Sequence, residues 1–300
     1  MTSLPGRLSL IFLGLALTSL AAGSASSQTP RGHGAEARDM ELVGHDDLQG
    51  RSAYQPTIHK QGGRFIAYVG HHGGKARNPL TGTEEENGTS IVDVTDPARP
   101  LYLAHIPGAS GGSEQGGAQM ARVCDRQGKT YLLRTFGNVV PNSGHEVWDV
   151  SDPAKPRKAS TLVTGLTSTH KNFWECDTGT AYLISGDLAK TDPLQAGPSG
   201  WRTSRMTKIY DLSDPAKPIF VRDVDIRVPY APREAAFYVP ATTERTAERC
   251  VTEPTRSCKV AIQTNNVETD ERGYVYLVDR ANTGLHIVRL TGEAAKIVGN

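Results

Sequence analysis

Short runs of alternating apolar and polar residues, each cut off by Gly, Pro, Asp or Asn, cover most of this chain. Alternation at a period of two puts successive side chains on opposite faces of an extended strand, so the pattern predicts strands rather than helices. One stretch shows the unit. Residues 118–124 form a first run, and Asp125-Arg126-Gln127-Gly128 is a turn in which Gly is free to take a positive φ. Residues 130–135 (Thr-Tyr-Leu-Leu-Arg-Thr) are strand formers, 137–144 are polar, and 146–150 alternate again. Asp152-Pro153-Ala154-Lys155-Pro156 is a second turn, and 158–163 is a fourth run. The same unit recurs at 54–59, 65–70, 90–94 and 101–106, and again at 171–175, 181–185, 207–212 and 219–224. Four strands joined by turns make one antiparallel sheet.

The third run of each unit opens the same phrase. Ile91-Val92-Asp93-Val94-Thr95-Asp96-Pro97-Ala98-Arg99-Pro100 returns at 147–156, around Asp149 and Asp152, and at 209–218, around Asp211 and Asp214. Copies spaced by 56 and 62 residues mark a repeat architecture. A lone sheet leaves both faces bare, whereas sheets packed radially about an axis cover one another. The expected fold is therefore an all-β propeller of four-stranded blades, in preference to a sandwich or an open solenoid. Residues 260–268, 274–278 and 285–290 supply only three strands of a last blade. Met40-Glu41-Leu42-Val43-Gly44 reads as an outer strand, and is expected to complete that blade and close the ring.

The repeated phrase, together with Val278-Asp279-Arg280-Ala281-Asn282-Thr283-Gly284-Leu285-His286-Ile287, resembles the repeat of the LVIVD-repeat family of exported bacterial and archaeal β-propellers. The resemblance covers nearly all of the chain after its first residues. It implies a propeller behind a signal sequence and, since most members have no established activity, implies little about function. One departure stands out. A worn fourth copy, Asp225-Ile226-Arg227-Val228-Pro229-Tyr230-Ala231-Pro232, begins only fourteen residues after Asp211. That is too short for two inner strands. Either a segment near Asp223 is absent, leaving four to five blades with one partial, or the worn copy is a loop and the ring has four.

The beginning of the chain reads as an export signal: Arg7, then an apolar stretch at 8–22, then Gly23-Ser24-Ala25 with cleavage expected near Ala25. Residues 26–39 are expected to be a disordered linker, and 40–300 a single propeller domain. No membrane span is expected after signal cleavage. A net charge of +1 and the lack of a basic stripe with interleaved aromatics argue against nucleic acid as a partner. Four cysteines in an exported chain suggest disulfides: Cys250 with Cys258 across a short loop, and Cys124 with Cys176 at matching places in successive repeats.

Candidate chemistry rests on nine histidines. His45, His71, His72, His145 and His170 fall in loops expected on one face near the axis, where imidazoles could take copper, zinc or iron, with Glu146 or Glu175 behind them. No HExxH or comparable spacing is present, so no cofactor is expected beyond that possible transition metal. His59 and His105 are expected away from that face, and His286 in packing. Gly111-Gly112-Ser113-Glu114-Gln115-Gly116-Gly117 precedes a strand rather than a helix, so it serves a turn between blades and not a phosphate loop. Glu84-Glu85-Glu86 reads as a solvated charge run. Asn87-Gly88-Thr89 matches a glycosylation acceptor. Trp148, Tyr210 and Trp174 are expected in packing, with Trp174 and Trp201 near the His face. The expected function is a non-enzymatic scaffold that binds a small ligand or protein at one face, shaped by the loops at 73–88 and 187–206. A metal-dependent, oxidoreductase-like enzyme on the five histidines is the alternative.

Overall fold

A computed structural model describes residues 34–186, 205–224, 236–246, 248–249, 259–260 and 262–297. The signal segment, the worn copy at 225–232, Trp201 and the pair Cys250 and Cys258 lie outside these residues. The described chain is an all-β propeller whose blades are four-stranded antiparallel sheets. In the first sheet the strands Ala53–Gln61, Arg64–His72, Gly88–Asp93 and Leu101–Pro107 pair in chain order. The second contains Ala121–Arg126, Lys129–Phe136, Val139–Asp149 and the outer part of Arg157–Trp174. The inner part of that long strand opens the third sheet and is followed by Thr180–Gly186, Arg205–Asp211 and Ile219–Val224.

The last sheet is assembled from both ends of the chain. Thr264–Thr269, Tyr274–Asp279 and Gly284–Leu290 are joined on the outside by Met40–Asp46, with Met40 opposite Leu290 and His45 opposite His286. The strand expected to close the ring does so, and the edge of Gly284–Leu290 is paired instead of open.

Period-two alternation sorts the cores. On Arg64–His72, Phe65, Ala67 and Val69 face Tyr276, Val278, Leu285 and Ile287 of the last sheet. The intervening Ile66 and Tyr68 face Ala121, Val123 and Leu132 of the second. Likewise Tyr131, Leu133 and Val147 of the second sheet pack on Trp174, Ala181, Leu183 and Tyr210 of the third. Every fully buried side chain of this kind contributes on the order of 1.5–3 kcal/mol. Among the described residues no such cluster joins the third sheet to the last. Phe173 and Val267, on the inner strands of those two sheets, are each about half exposed.

The repeated phrase is a turn device. The carboxylates of Asp93, Asp149 and Asp211 accept from the backbone N–H of Thr95, Ser151 and Ser213 at 2.9, 3.0 and 2.8 Å. Asp96, Asp152 and Asp214 accept from Ala98, Ala154 and Ala216 at 3.1 Å in all three copies. Between each pair of acids Val94, Val150 or Leu212 is fully buried. Three copies with one hydrogen-bond pattern explain why the phrase carries the fold and no chemistry.

Three expectations need correction. Residues 26–39 were expected to be an unstructured linker, yet Glu36–Arg38 forms a strand antiparallel to Phe237–Val239. The runs at 158–163 and 171–175 belong to one strand, because Thr164, Thr167 and Thr169 are strand formers and Gly165 takes φ +69° where the chain passes between blades. Glu84–Glu86 is not a simple solvated run. It pairs with Lys75–Arg77 in a ribbon, and Glu85 turns inward to accept from His105 Nδ1 at 2.7 Å and from Asn78. Asn87 is likewise buried, accepting from the Arg51 guanidinium at 2.7 Å, so the acceptor motif is closed to glycosylation.

Candidate functional site at one end of the axis

The five singled-out histidines separate into different environments. His71 and His72 are consecutive on a strand and so point to opposite faces. His71 Nε2 meets Ser90 Oγ at 2.8 Å, and its ring lies 6.4 Å from that of His105. His105 was expected elsewhere. It comes here because the second and fourth strands of a meander end at the same rim. His45 Nε2 donates to the Thr283 carbonyl at 2.7 Å, and its ring lies 4.8 Å from that of His286. His145 Nε2 donates to the Ile184 carbonyl at 3.3 Å, between the second and third sheets. His59 pairs with Asp125 at 3.1 Å at the opposite end of the first sheet. Among the described residues no group of three or more His, Cys, Asp and Glu side chains is placed to hold a metal ion. Glu146 is engaged by Arg134 and Trp148, and Glu175 by Thr178 and Tyr182.

His72 and His170 do come together, through Tyr54. The Tyr54 ring meets that of His72 edge-on at 4.9 Å, and its hydroxyl lies 3.3 Å from His170 Nδ1. Lys171 Nζ stands over the Tyr54 ring at 4.4 Å, a cation–π contact. His72 Nε2 faces Glu114 at 3.6 Å, and Glu114 is ion-paired with Arg280. Ser52 Oγ donates to the Arg280 carbonyl at 2.6 Å and lies 3.4 Å from His72 Nδ1. Asn266 Nδ2 donates to the Tyr54 carbonyl at 2.8 Å, and Arg122 reaches Glu268 at 3.6 Å.

The parts come from the places propeller topology supplies at one end: the inner strands (Tyr54, Lys171, Asn266), the end of a second strand (His72), a second-to-third turn (Arg280) and an inter-blade connection (Glu114). That connection is the Gly-rich segment. Its Gly117, at φ +81°, lies so close to His71 that an added Cβ would sit 2.4 Å from the His71 carbonyl oxygen. Beside the cluster opens a polar depression of about 250 Å³, lined by Gly50, Ser52, Gly73, Lys75, Ser113 and Asn282 among others. Burial, with Glu114 adding to it, raises the Tyr54 phenol above its ordinary range. Burial, with Arg122 adding to it, lowers the Lys171 amine. The arrangement presents a phenol, two imidazoles and an ammonium within a few ångströms of each other, a set suited to gripping a small polar molecule.

Tyr54, Lys171, Glu114 and Arg280 were not singled out by sequence. Position was the available signal: Tyr54 and Lys171 both begin inner strands, and Arg280 opens a turn inside the repeat phrase.

The remaining buried histidines set an acid limit on the fold. Burial lowers His145 to about 4 and His286 to about 3, the latter helped by neighbouring His45. In the unfolded chain an imidazole titrates near about 6.5. Between that pH and the folded values the unfolded state binds more protons, so stability falls as pH drops from about 6.5 toward 4. Asp93 and Asp149 are held low by their turn hydrogen bonds against the opposing effect of burial, and their stabilisation is lost only below the ordinary carboxylate range. The thermal midpoint is expected to fall in the first window and to fall less in the double variant His145→Gln/His286→Gln. Equal slopes for the two proteins would contradict this.

No family model matches the chain, and no curated protein matches it. Among solved structures it is similar to a glycoside hydrolase of the GH43_1 type from Xanthomonas citri (13% identity, 85% of this chain and 92% of that one, TM-score 0.42). It is also similar to a protein described as a glycoside hydrolase (11%, 86% and 91%, TM-score 0.44). A third is the periplasmic gluconolactonase of Pseudomonas aeruginosa (12%, 76% and 54%, TM-score 0.34). The chain spans about half the length of the gluconolactonase. No helix among the described residues is long and apolar enough to cross a membrane.

Proposed function

We propose that this protein is an exported β-propeller of the LVIVD-repeat type that binds a small polar ligand at the end of its axis around Tyr54. One observation carries the reading: three sheets and one inter-blade connection deliver Tyr54, His72, His170, Lys171, Arg280 and Glu114 to one place beside an open polar depression. None of these side chains belongs to the three hydrophobic clusters between sheets. Loops and strand ends on a rigid ring are where recognition is placed. Export accords with the apolar stretch at 8–22 and with the Cys124–Cys176 disulfide.

The test is a thermal-shift screen of neutral sugars, sugar acids, organic acids and short peptides against the wild type and Tyr54→Phe. Tyr54→Phe removes only the hydroxyl beside His170. A ligand that raises the midpoint of the wild type and binds Tyr54→Phe about fivefold or more weakly, the value of one lost hydrogen bond, supports the site. Ligands that bind both proteins equally place recognition elsewhere.

A further inference from the structure

The charge balance at this end of the axis names a ligand class. Among the described residues around Tyr54, the cations Arg122, Lys171 and Arg280 stand beside the carboxylates Glu114 and Glu268. Both carboxylates are engaged by the arginines, Glu114 with Arg280 and Glu268 with Arg122. Lys171 is left with the face of the Tyr54 ring and, among the described residues, with no carboxylate. Taking an ammonium partly out of water without a counter-ion is costly, and a cation–π contact repays a fraction of it. The Tyr54 ring under the amine carries the hydroxyl that lies 3.3 Å from His170 Nδ1, and these groups offer hydrogen bonds without a fixed charge.

We propose that this site takes a small organic anion, its carboxylate received by Lys171 Nζ with the Tyr54 hydroxyl and the His170 imidazole beside it. This rests on the ligand-binding reading above and adds the class of ligand. A single ammonium that has no carboxylate partner among the described residues matches a single carboxylate rather than a phosphate dianion. Burial and the Arg122 charge hold the Lys171 amine below its ordinary range, and the negative charge of a bound anion would oppose that shift.

The experiment titrates full-length processed protein with lactate and with glucuronate by calorimetry, at constant ionic strength set with chloride. Inorganic phosphate and neutral glucose are run in parallel on wild type, Lys171→Met, Lys171→Gln and Lys171→Arg. Met keeps the apolar stem over the Tyr54 ring, Gln keeps a donor without charge, and Arg keeps the charge. At least one carboxylate is expected to bind the wild type and to lose about tenfold or more in both Met and Gln variants, with Arg restoring most of it. Circular dichroism and the thermal midpoint establish that each variant is folded. Equal carboxylate binding by Lys171→Met and wild type overturns the inference, as does failure of both carboxylates to bind the wild type at millimolar concentration. Phosphate binding in preference to both carboxylates overturns it as well. Glucose that binds the wild type, weakens in Tyr54→Phe and ignores Lys171 would overturn the anion while leaving the ligand-binding reading standing.

Discussion

Arg134→Ala is expected to destabilise the protein by about 3–5 kcal/mol, the cost of breaking a buried ion pair by removing one partner. Arg134 lies on the second strand of the second sheet and is 2% exposed. Its Nε donates to Glu146 at 2.8 Å, and its other nitrogens donate to the carbonyls of Ile106 at 2.9 Å and Pro107 at 2.7 Å on the outer strand of the first sheet. The guanidinium also lies 5.1 Å from the Trp148 ring centre. One side chain thus ties two blades at their rim, and alanine leaves two inter-blade carbonyls without their donors. Burial opposes the charge and Glu146 sustains it. Urea unfolding would report the loss as a lower midpoint at unchanged slope. Arg134→Met with Glu146→Leu is expected to recover part of it, since removing both charges leaves neither buried alone. A loss below about 1 kcal/mol for Arg134→Ala would show that the tie contributes no more than an exposed pair.

Removing the Cys124–Cys176 disulfide is expected to cost about 4 kcal/mol, from the chain entropy of a loop closed across 52 residues. Cys124 lies on the first strand of the second sheet and Cys176 just beyond the inner strand of the third, so the bond fastens two inner strands directly. Both the variant Cys124→Ser/Cys176→Ser and the reduced wild type should unfold at lower urea by similar amounts. Folding with full stability after reduction would mean that the packing of Tyr131, Leu133 and Trp174 suffices at this junction. The third sheet is where the effect should be largest, because no second hydrophobic cluster among the described residues holds it to the last sheet.

Architecture was legible because it is encoded locally and repeatedly. Alternation on 65–70 assigns Ile66 and Tyr68 to one neighbour and Phe65, Ala67 and Val69 to the other without knowledge of distant contacts. Asp93, Asp149 and Asp211 announce their turns because an Asx hydrogen bond spans two residues. The pairing of Met40–Asp46 with Gly284–Leu290 followed from a missing fourth strand. The Cys124–Cys176 bond was open to reading because equivalent positions in adjacent repeats are adjacent in space.

The site was much less legible. Its residues come from three sheets and a connection between two of them, and nothing in the spacing of Tyr54, Glu114, Lys171 and Arg280 states that they meet. Residue type misled where geometry decides: His71 and His72 look equivalent as a pair, but one turns to Ser90 and the other to Tyr54 and Glu114. Strand-end bookkeeping by rim placed His105 wrongly, and the charge run hid Glu85 as the buried partner of that histidine.

The central claim is that the ends of the chain fasten the ring by sharing one sheet. Hydrogen exchange of the backbone amides tests it most directly. Amides of Met40–Asp46 are expected to be protected to the same degree as those of Gly284–Leu290, since the two strands share their hydrogen bonds, and to open together with them. Rapid exchange throughout Met40–Asp46 alongside a protected Gly284–Leu290 would contradict the account.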